Sequence, residues 1–286
     1  MTEPPGPAST LAERVAWATA CIAPISDTPR LDAELLLARA LGISRAALLA
    51  RPRDTTPAPD FPRWVARRAA AEPLAYILGE WEFYALPFTV APPLLTPRPE
   101  TEHLVETALE EIGRREARLL DIGCGTGCVA VSIAVHAPRA QIVAVDIHPR
   151  ACAVTAQNAR RHGARDRVQV FQGDMACALD TRDPVFDVVC SNPPYVEESA
   201  WSGLSPVIRL HEDPGALLSG PDGLDAVRRI VADARRLLRP GGLLALEIGA
   251  GQAPPVRAIL ADAGYTAIRF VKDLADIDRI AAARLP

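Results

Sequence analysis

Two periodicities divide the chain. From Arg118 onward, short and nearly continuous apolar runs alternate with longer amphipathic stretches. RLLDIG, QIVAVD, RVQVFQGD, VFDVVCSN, GGLLALEIG, YTAIRFVKD and DRIAAARL read as seven strands. TGCVAVSIAVHA, PRACAVTAQNARRHG, DGLDAVRRIVADARRLL and PPVRAILADAG read as the helices between them. Strands that are apolar on both faces and alternate with helices predict a mostly parallel sheet covered on both sides, a doubly wound α/β domain. Residues 9 to 78 instead carry helical spacing throughout. Ser9 or Thr10 can cap LAERVAWATACIA, and Pro29 and Gly42 bracket RLDAELLLARALG. SRAALLA and DFPRWVARRAAAE follow behind capping residues of their own. Leu31, Leu35, Leu36 and Leu37 are expected to form a broad buried stripe, so this part is expected to be a small helical bundle.

Aromatic and β-branched residues between Pro breaks mark a third kind of segment. A β-hairpin is expected from Glu80 to about Leu95, and a helix opens at Pro97-Arg98-Pro99-Glu100-Thr101-Glu102 with acidic residues in its first turn. The resulting division is a helical part over 1–79, a hairpin linker over 80–97 and the α/β part over 98–286.

Composition narrows the function classes. The chain has 286 residues, 49% of them hydrophobic, enough for a large core, and a net charge of −4 that disfavours a general nucleic-acid grip. The first ten residues have neither a basic start nor an apolar core, so no signal peptide is expected. No apolar run approaches the roughly 18 residues of a membrane helix, and a soluble cytoplasmic protein is expected. The six cysteines contain no CxxC pair and read as small reduced hydrophobes. The five histidines, His103, His148 and His211 among them, show no ligand spacing, and no metal is expected.

The candidate chemistry lies at strand ends, where sheets of this kind bind ligands. LLDIGCGTGC places Asp121, Gly123, Cys124, Gly125, Thr126 and Gly127 between a strand and a helix. Glycines there let the backbone turn tightly and approach a ligand. Asp146 ends the next strand; its carboxylate can accept from both hydroxyls of a ribose, or cap the following helix. Asp174 ends the third strand and can accept from an adenine amino group, or fix its own turn. The fourth strand ends in Asn192-Pro193-Pro194-Tyr195. In this order the motifs resemble those of the class I S-adenosylmethionine-dependent methyltransferases. That family's seven-stranded Rossmann-like sheet is the implied fold, and S-adenosyl-L-methionine the implied methyl donor.

The Asn-Pro-Pro-Tyr turn suggests which atom would receive a methyl group. A planar amide or aromatic amine is a poor nucleophile because its lone pair is delocalised. Acceptors drawing on its two N–H groups favour a pyramidal, more basic nitrogen. The Asn192 side-chain oxygen and the Pro193 carbonyl are candidate acceptors, stiffened by proline, and Tyr195 can lie against the planar group. Two target classes fit this chemistry, adenine N6 and a glutamine side-chain amide. After Tyr195 most of the chain is needed to finish the sheet, which leaves little for a DNA-recognition region. A non-catalytic binding domain fits poorly with an intact glycine loop, Asp146 and Asn192.

Longer stretches sharpen the resemblance. PLAYILGEWEFYALPFTVAPPLLTPRPETEHLVE, LLDIGCGTGCVAVSIA, CSNPPYVEES and EDPGALLSGPDGL together are similar to the bacterial release factor glutamine N5-methyltransferases of the HemK/PrmC type. That resemblance implies methylation of the glutamine in the Gly-Gly-Gln motif of class I peptide chain release factors, without direct nucleic-acid or membrane binding; a monomer is expected. It implies that Gly123 to Gly127, Asp146, Asp174, Met175 and Asn192 serve the donor, and that Asn192, Pro193, Pro194 and Tyr195 hold the glutamine amide. Met175 stands where relatives often have Trp; a thioether can still line an apolar slot. Arg98 could approach the donor's carboxylate or sit exposed at the helix entry. Glu212, Asp213 and Pro214 follow the Asn-Pro-Pro-Tyr turn and could support a lid; the expectation is a solvated loop.

Overall fold

The computed structural model describes residues 4–6, 8–179 and 184–286. The expectation of no signal peptide falls partly on residues 1–3 and 7, outside the described residues. The chain divides into two compact units, Met1–Glu80 with Leu204–His211, and Trp81–Gly203 with Glu212–Pro286.

The first unit begins with α1 (Leu11–Ile22), α2 (Pro29–Leu41), α3 (Arg45–Leu49), α4 (Phe61–Ala69) and α5 (Leu74–Leu78). Thr10 caps α1 and forms a reciprocal capping box with Glu13, while Gly42 ends α2 in the left-handed conformation. Leu11, Ala18, Ile22, Leu36, Leu37, Phe61 and Val65 fill the core. The expected leucine stripe on α2 is only partly inward. Leu31 is exposed, and Asp32 and Glu34 are buried instead. Each buried carboxylate is neutralised: Arg68 donates to Asp32 at 2.8 Å, and Arg30 and Arg45 both reach Glu34. Hydrophobic periodicity cannot register an inward position filled by a charged pair.

In the second unit β1 (Glu80–Phe83) and β2 (Leu86–Thr89) form the expected hairpin. Tyr84 and Ala85 both take positive φ, the twist a two-residue hairpin turn requires. Glu102 accepts the Tyr84 N–H at 2.8 Å and pins that turn. A short 3-10 turn, Pro99–Thr101, leads into α6 (Glu102–Ile112). There follow β3 (Ala117–Ile122), α7 (Cys128–His136), β4 (Ala140–Asp146), α8 (Pro149–Arg161), β5 (Val168–Gln172) and β6 (Phe186–Ser191). Short α9 (Pro206–Arg209) belongs to the first unit. Then α10 (Asp225–Leu237), β7 (Leu238–Glu247), α11 (Ala253–Asp262), β8 (Thr266–Lys272) and β9 (Asp278–Arg284) complete the sheet.

The seven strands lie in the order β5-β4-β3-β6-β7-β9-β8. β3 pairs in parallel with β4 on one side and β6 on the other, and β9 runs antiparallel to β7. Two apolar clusters cover the sheet, one including α6 and α7, the other α10 and α11. Chain order reverses between β3 and β6, so their carboxyl ends splay their loops apart and open a crevice there.

Candidate active site

That crevice is a cavity of about 460 Å³ lined from the ends of β3, β4, β5 and β6. Gly123, Cys124, Gly125, Thr126, Asp146, Asp174, Met175, Asn192, Pro193 and Pro194 all line it. Gly127 and Tyr195 stand outside the lining.

The glycine loop is held by backbone bonds. The N–H groups of Gly123 and Cys124 both donate to the Val145 carbonyl, at 2.8 and 3.1 Å. Gly123, Gly125 and Gly127 all have positive φ. A Cβ on Gly123 or Gly125 would meet nothing within 4 Å, so both face open space, whereas one on Gly127 would sit 2.8 Å from Thr155 Cγ2. Gly127 therefore serves close packing against α8, and the other two give the cavity its room. Asp146 latches the loop: Oδ2 accepts from Gly125 N–H and Oδ1 from His148 N–H, both at 2.8 Å. The cap of α8 falls to His148, whose Nδ1 accepts from Arg150 N–H.

Asp121 is buried below the loop, with Oδ2 unpartnered. Burial pushes its carboxyl up to about 7, and the nearby Asp146 charge adds to the shift. Asp174 is half-exposed and paired with Arg229 at 2.7 Å rather than with its own turn. Met175 has positive φ and packs against the apolar cluster beneath α10. Burial holds the Cys128 thiol at about 12, so it is no nucleophile. Among the described residues no group of three His, Cys, Asp or Glu side chains gathers as a metal site.

Across the cavity Asn192 follows directly on β6. Its Nδ2 donates to Thr101 Oγ1 at 3.1 Å, which leaves Oδ1 as the amide's acceptor face. The Tyr195 carbonyl accepts from Gln252 Nε2 at 3.0 Å, and its phenol points to Glu247 Oε1 at 3.5 Å. Burial and the Glu247 charge push the phenol up to about 12.

Glu212 corrects an expectation. It is 4% exposed and not in a solvated loop. One Arg98 nitrogen donates to both its oxygens at 2.8 Å, and Thr96 N–H reaches Oε1 at 3.5 Å. Burial raises the Glu212 carboxyl while Arg98 pulls it down. Arg98 is thus not a solvated entry residue: it lines the cavity, with one of its nitrogens held in an ion pair with Glu212. The pairing partner is 114 residues away, beyond the reach of any local pattern.

Comparison with known proteins bears on this geometry. Residues 13–79 match the PrmC N-terminal domain and residues 99–205 the Methyltransferase small domain. The release factor glutamine methyltransferase of Nitratidesulfovibrio vulgaris is 40% identical over 90% of this chain and 89% of its own length. That of Moorella thermoacetica is 43% identical over 88% and 90% respectively. The chain belongs to the release factor glutamine methyltransferase family. Its sheet also matches the T. thermophilus 16S rRNA N2 G1207 methyltransferase, solved with AdoMet and guanosine. The TM-score is 0.52 at 19% identity, over 72% of this chain and 50% of that one, a likeness of fold.

In this family member, sequence reasoning missed Thr101, Glu247 and Gln252. Glu247 closes β7 and is 2% exposed, and its Oε2 has no partner. Burial pushes its carboxyl up to about 7, with Thr101 and Tyr195 hydrogen bonds pulling the other way. A lone charged residue ending the apolar run GGLLALEIG was the signal available. Thr101 and Gln252 gave none, because their partners are far along the chain.

Proposed function

We propose that this chain transfers the methyl group of S-adenosyl-L-methionine to the side-chain amide nitrogen (N5) of the glutamine in the Gly-Gly-Gln motif of class I peptide chain release factors. The observation that carries this reading is Asn192. Its Nδ2 is tied back to Thr101 beside a cavity framed by the glycine loop, so Oδ1 is free to accept from a planar NH₂. The proposal assigns the helical part, 1–79, to docking the protein substrate. It includes a cytoplasmic monomer that needs no nucleic acid, in keeping with a net charge of −4.

The cavity suits the donor. Gly123 and Gly125 leave open space, Asp121 offers a buried unpartnered carboxylate oxygen to a cationic group, and Asp146 can accept from ribose hydroxyls. Ile147 and Met175 supply apolar surface for a flat base, and Asp174 a carboxylate at its edge. When bound, the donor supplies a methyl carbon made electrophilic by its sulfonium.

On the other side Asn192 Oδ1 and the Pro193 carbonyl accept the two N–H groups of the glutamine amide. That pull frees the nitrogen lone pair from resonance, and the fixed turn aims it along the line to the methyl carbon. As the amide nitrogen bonds to the methyl carbon, the carbon–sulfur bond would break and leave its electron pair on sulfur; the alkylated nitrogen then loses a proton to solvent, so no strong base is needed in the transfer itself. Tyr195 acts from behind: its half-buried ring and its bonded carbonyl hold the turn in place.

Labelled methyl transfer is the test. With purified release factor and duplex DNA offered separately, label is expected on the protein, and none on a release factor whose target glutamine is replaced. Label on DNA alone would overturn the proposal and favour an adenine N6 enzyme.

A further inference from the structure

The Asn192–Tyr195 turn is gripped at both ends. Asn192 Nδ2 is tied to Thr101 at 3.1 Å, and the Tyr195 carbonyl accepts from Gln252 Nε2 at 3.0 Å. We propose that Gln252 is a positioning residue for methyl transfer, whose side-chain amide clamps the Tyr195 carbonyl and so fixes where the turn presents its acceptors. This rests on the reading that the turn receives the target amide.

Gln252 stands at the N-cap of α11, yet its side chain does not cap that helix. It reaches instead among backbone groups of three separate stretches. Oε1 accepts from Gly249 N–H at 2.8 Å, while Nε2 donates to the Tyr195 carbonyl at 3.0 Å and to the Gly223 carbonyl at 3.4 Å. A carbonyl only accepts and an N–H only donates, so the amide has one satisfied orientation. Gly223 closes the other side of the clamp. Its φ is +71°, and a Cβ there would lie 2.4 Å from the Tyr195 oxygen. The Tyr195 carbonyl is boxed between an amide donor and a bare stretch of backbone.

A grip on Tyr195 is felt at Asn192 because little can bend between them. Pro193 and Pro194 have φ locked near about −65° by their rings, so the turn moves largely as one piece. With the Tyr195 carbonyl released, the turn can pivot on the Asn192–Thr101 contact. The Pro193 carbonyl and Asn192 Oδ1 then no longer converge on one NH₂. Gln252, Gly223 and Gly249 do not line the cavity, so their effect on the reaction passes through the turn.

Two substitutions separate this clamp from simple packing. Gln252→Met keeps the length and loses both polar functions. Gln252→Glu keeps the acceptor for Gly249 N–H but, when ionised, turns an oxygen onto two carbonyls. When protonated, its O–H can again donate to Tyr195.

The test uses the full chain with S-adenosyl-L-methionine and purified release factor. At about pH 8.5 both variants are expected to be about 10- to 100-fold slower in single turnover, the scale of a slightly misplaced reacting group, with donor Kd changed less than about twofold and half-saturation by release factor less than about threefold. Toward about pH 6 the Gln252→Glu rate should rise at least about threefold relative to Gln252→Met, as the crowded carboxyl takes up its proton. Tyr195, Asp222 and Glu247, the titratable groups on or beside the clamped stretches, are present in both variants and cancel from that ratio. Gly223→Ala presses on the same carbonyl from the other side and should slow the reaction about tenfold or more with donor Kd held. It carries the comparison should the 252 variants misfold. A substrate-independent readout is NMR: the Tyr195 carbonyl carbon and the Asn192 side-chain NH₂ are both expected to shift in Gln252→Met. Wild-type chain that fails to label release factor would refute the functional reading and leave the NMR test standing. A wild-type rate in either 252 variant at the higher pH would overturn the positioning role. So would a Gln252→Glu rate that stays level with Gln252→Met on acidification, or an Asn192 signal that does not move.

Discussion

The two walls of the cavity are built by different means. The glycine-loop wall is almost local: its conformation rests on backbone bonds to β4 and on one carboxylate, Asp146, at the adjoining strand end. The Asn192 wall is assembled from afar. Asn192 is held by a residue 91 positions earlier, and the Tyr195 carbonyl by one 57 positions later. A site that only has to make room can be written into one turn. A site that has to aim an acceptor needs side chains from several elements to lock its rotamers.

Separate changes to each wall can break or sharpen that contrast. The largest effect is expected from Asn192→Ala. Single-turnover rate should fall about 100- to 1,000-fold, as when a preorganised polar group is removed, while calorimetry finds donor affinity nearly intact. Equal loss of both would mean that the walls are not separable. Gly127→Ala attacks the other wall. Its Cβ would fall 2.8 Å from Thr155 at a φ of +78°, so donor affinity should drop by about tenfold or more and the melting temperature with it.

The Arg98–Glu212 pair offers an asymmetric test. Arg98→Ala strands a carboxylate in the interior and should cost about 2–4 kcal/mol in urea unfolding, near the range for a broken buried pair. Glu212→Ala should cost less, because the Arg98 side chain is 34% exposed and can rehydrate. Equal costs would mean the pair is not the reason Glu212 is buried.

The smallest effect concerns Asp121. Its carboxyl is raised from 3.8 to about 7, so the folded state holds this proton more tightly than the unfolded one. The resulting stabilisation is complete below pH 3.8 and is lost as pH rises through about 7. Asp121→Asn should therefore raise the melting temperature by a few degrees at pH 8 and progressively less toward pH 5. A uniform shift across that range would contradict the assignment.

The sheet was legible because its strands are uninterrupted apolar runs between helices of clear period. Asp146 and the glycine loop were legible as positions because strand ends and loop coincide in sequence. Leu31 and Glu212 were misjudged for one shared reason: the inward places go to carboxylates, Asp32, Glu34 and Glu212, each paired with an arginine from another segment. Likewise, nothing local marks Thr101 as the anchor of Asn192. Long-range polar contacts leave no period to read.

The most direct measurement is a crystal structure with a non-reactive donor analogue and a Gly-Gly-Gln peptide bound together. The expected result has the glutamine NH₂ donating to Asn192 Oδ1 and to the Pro193 carbonyl, with its nitrogen about 3–3.5 Å from the position of the transferred carbon. A glutamine amide seated away from the Asn192 turn, or Asn192 Oδ1 turned back onto Thr101, would contradict it.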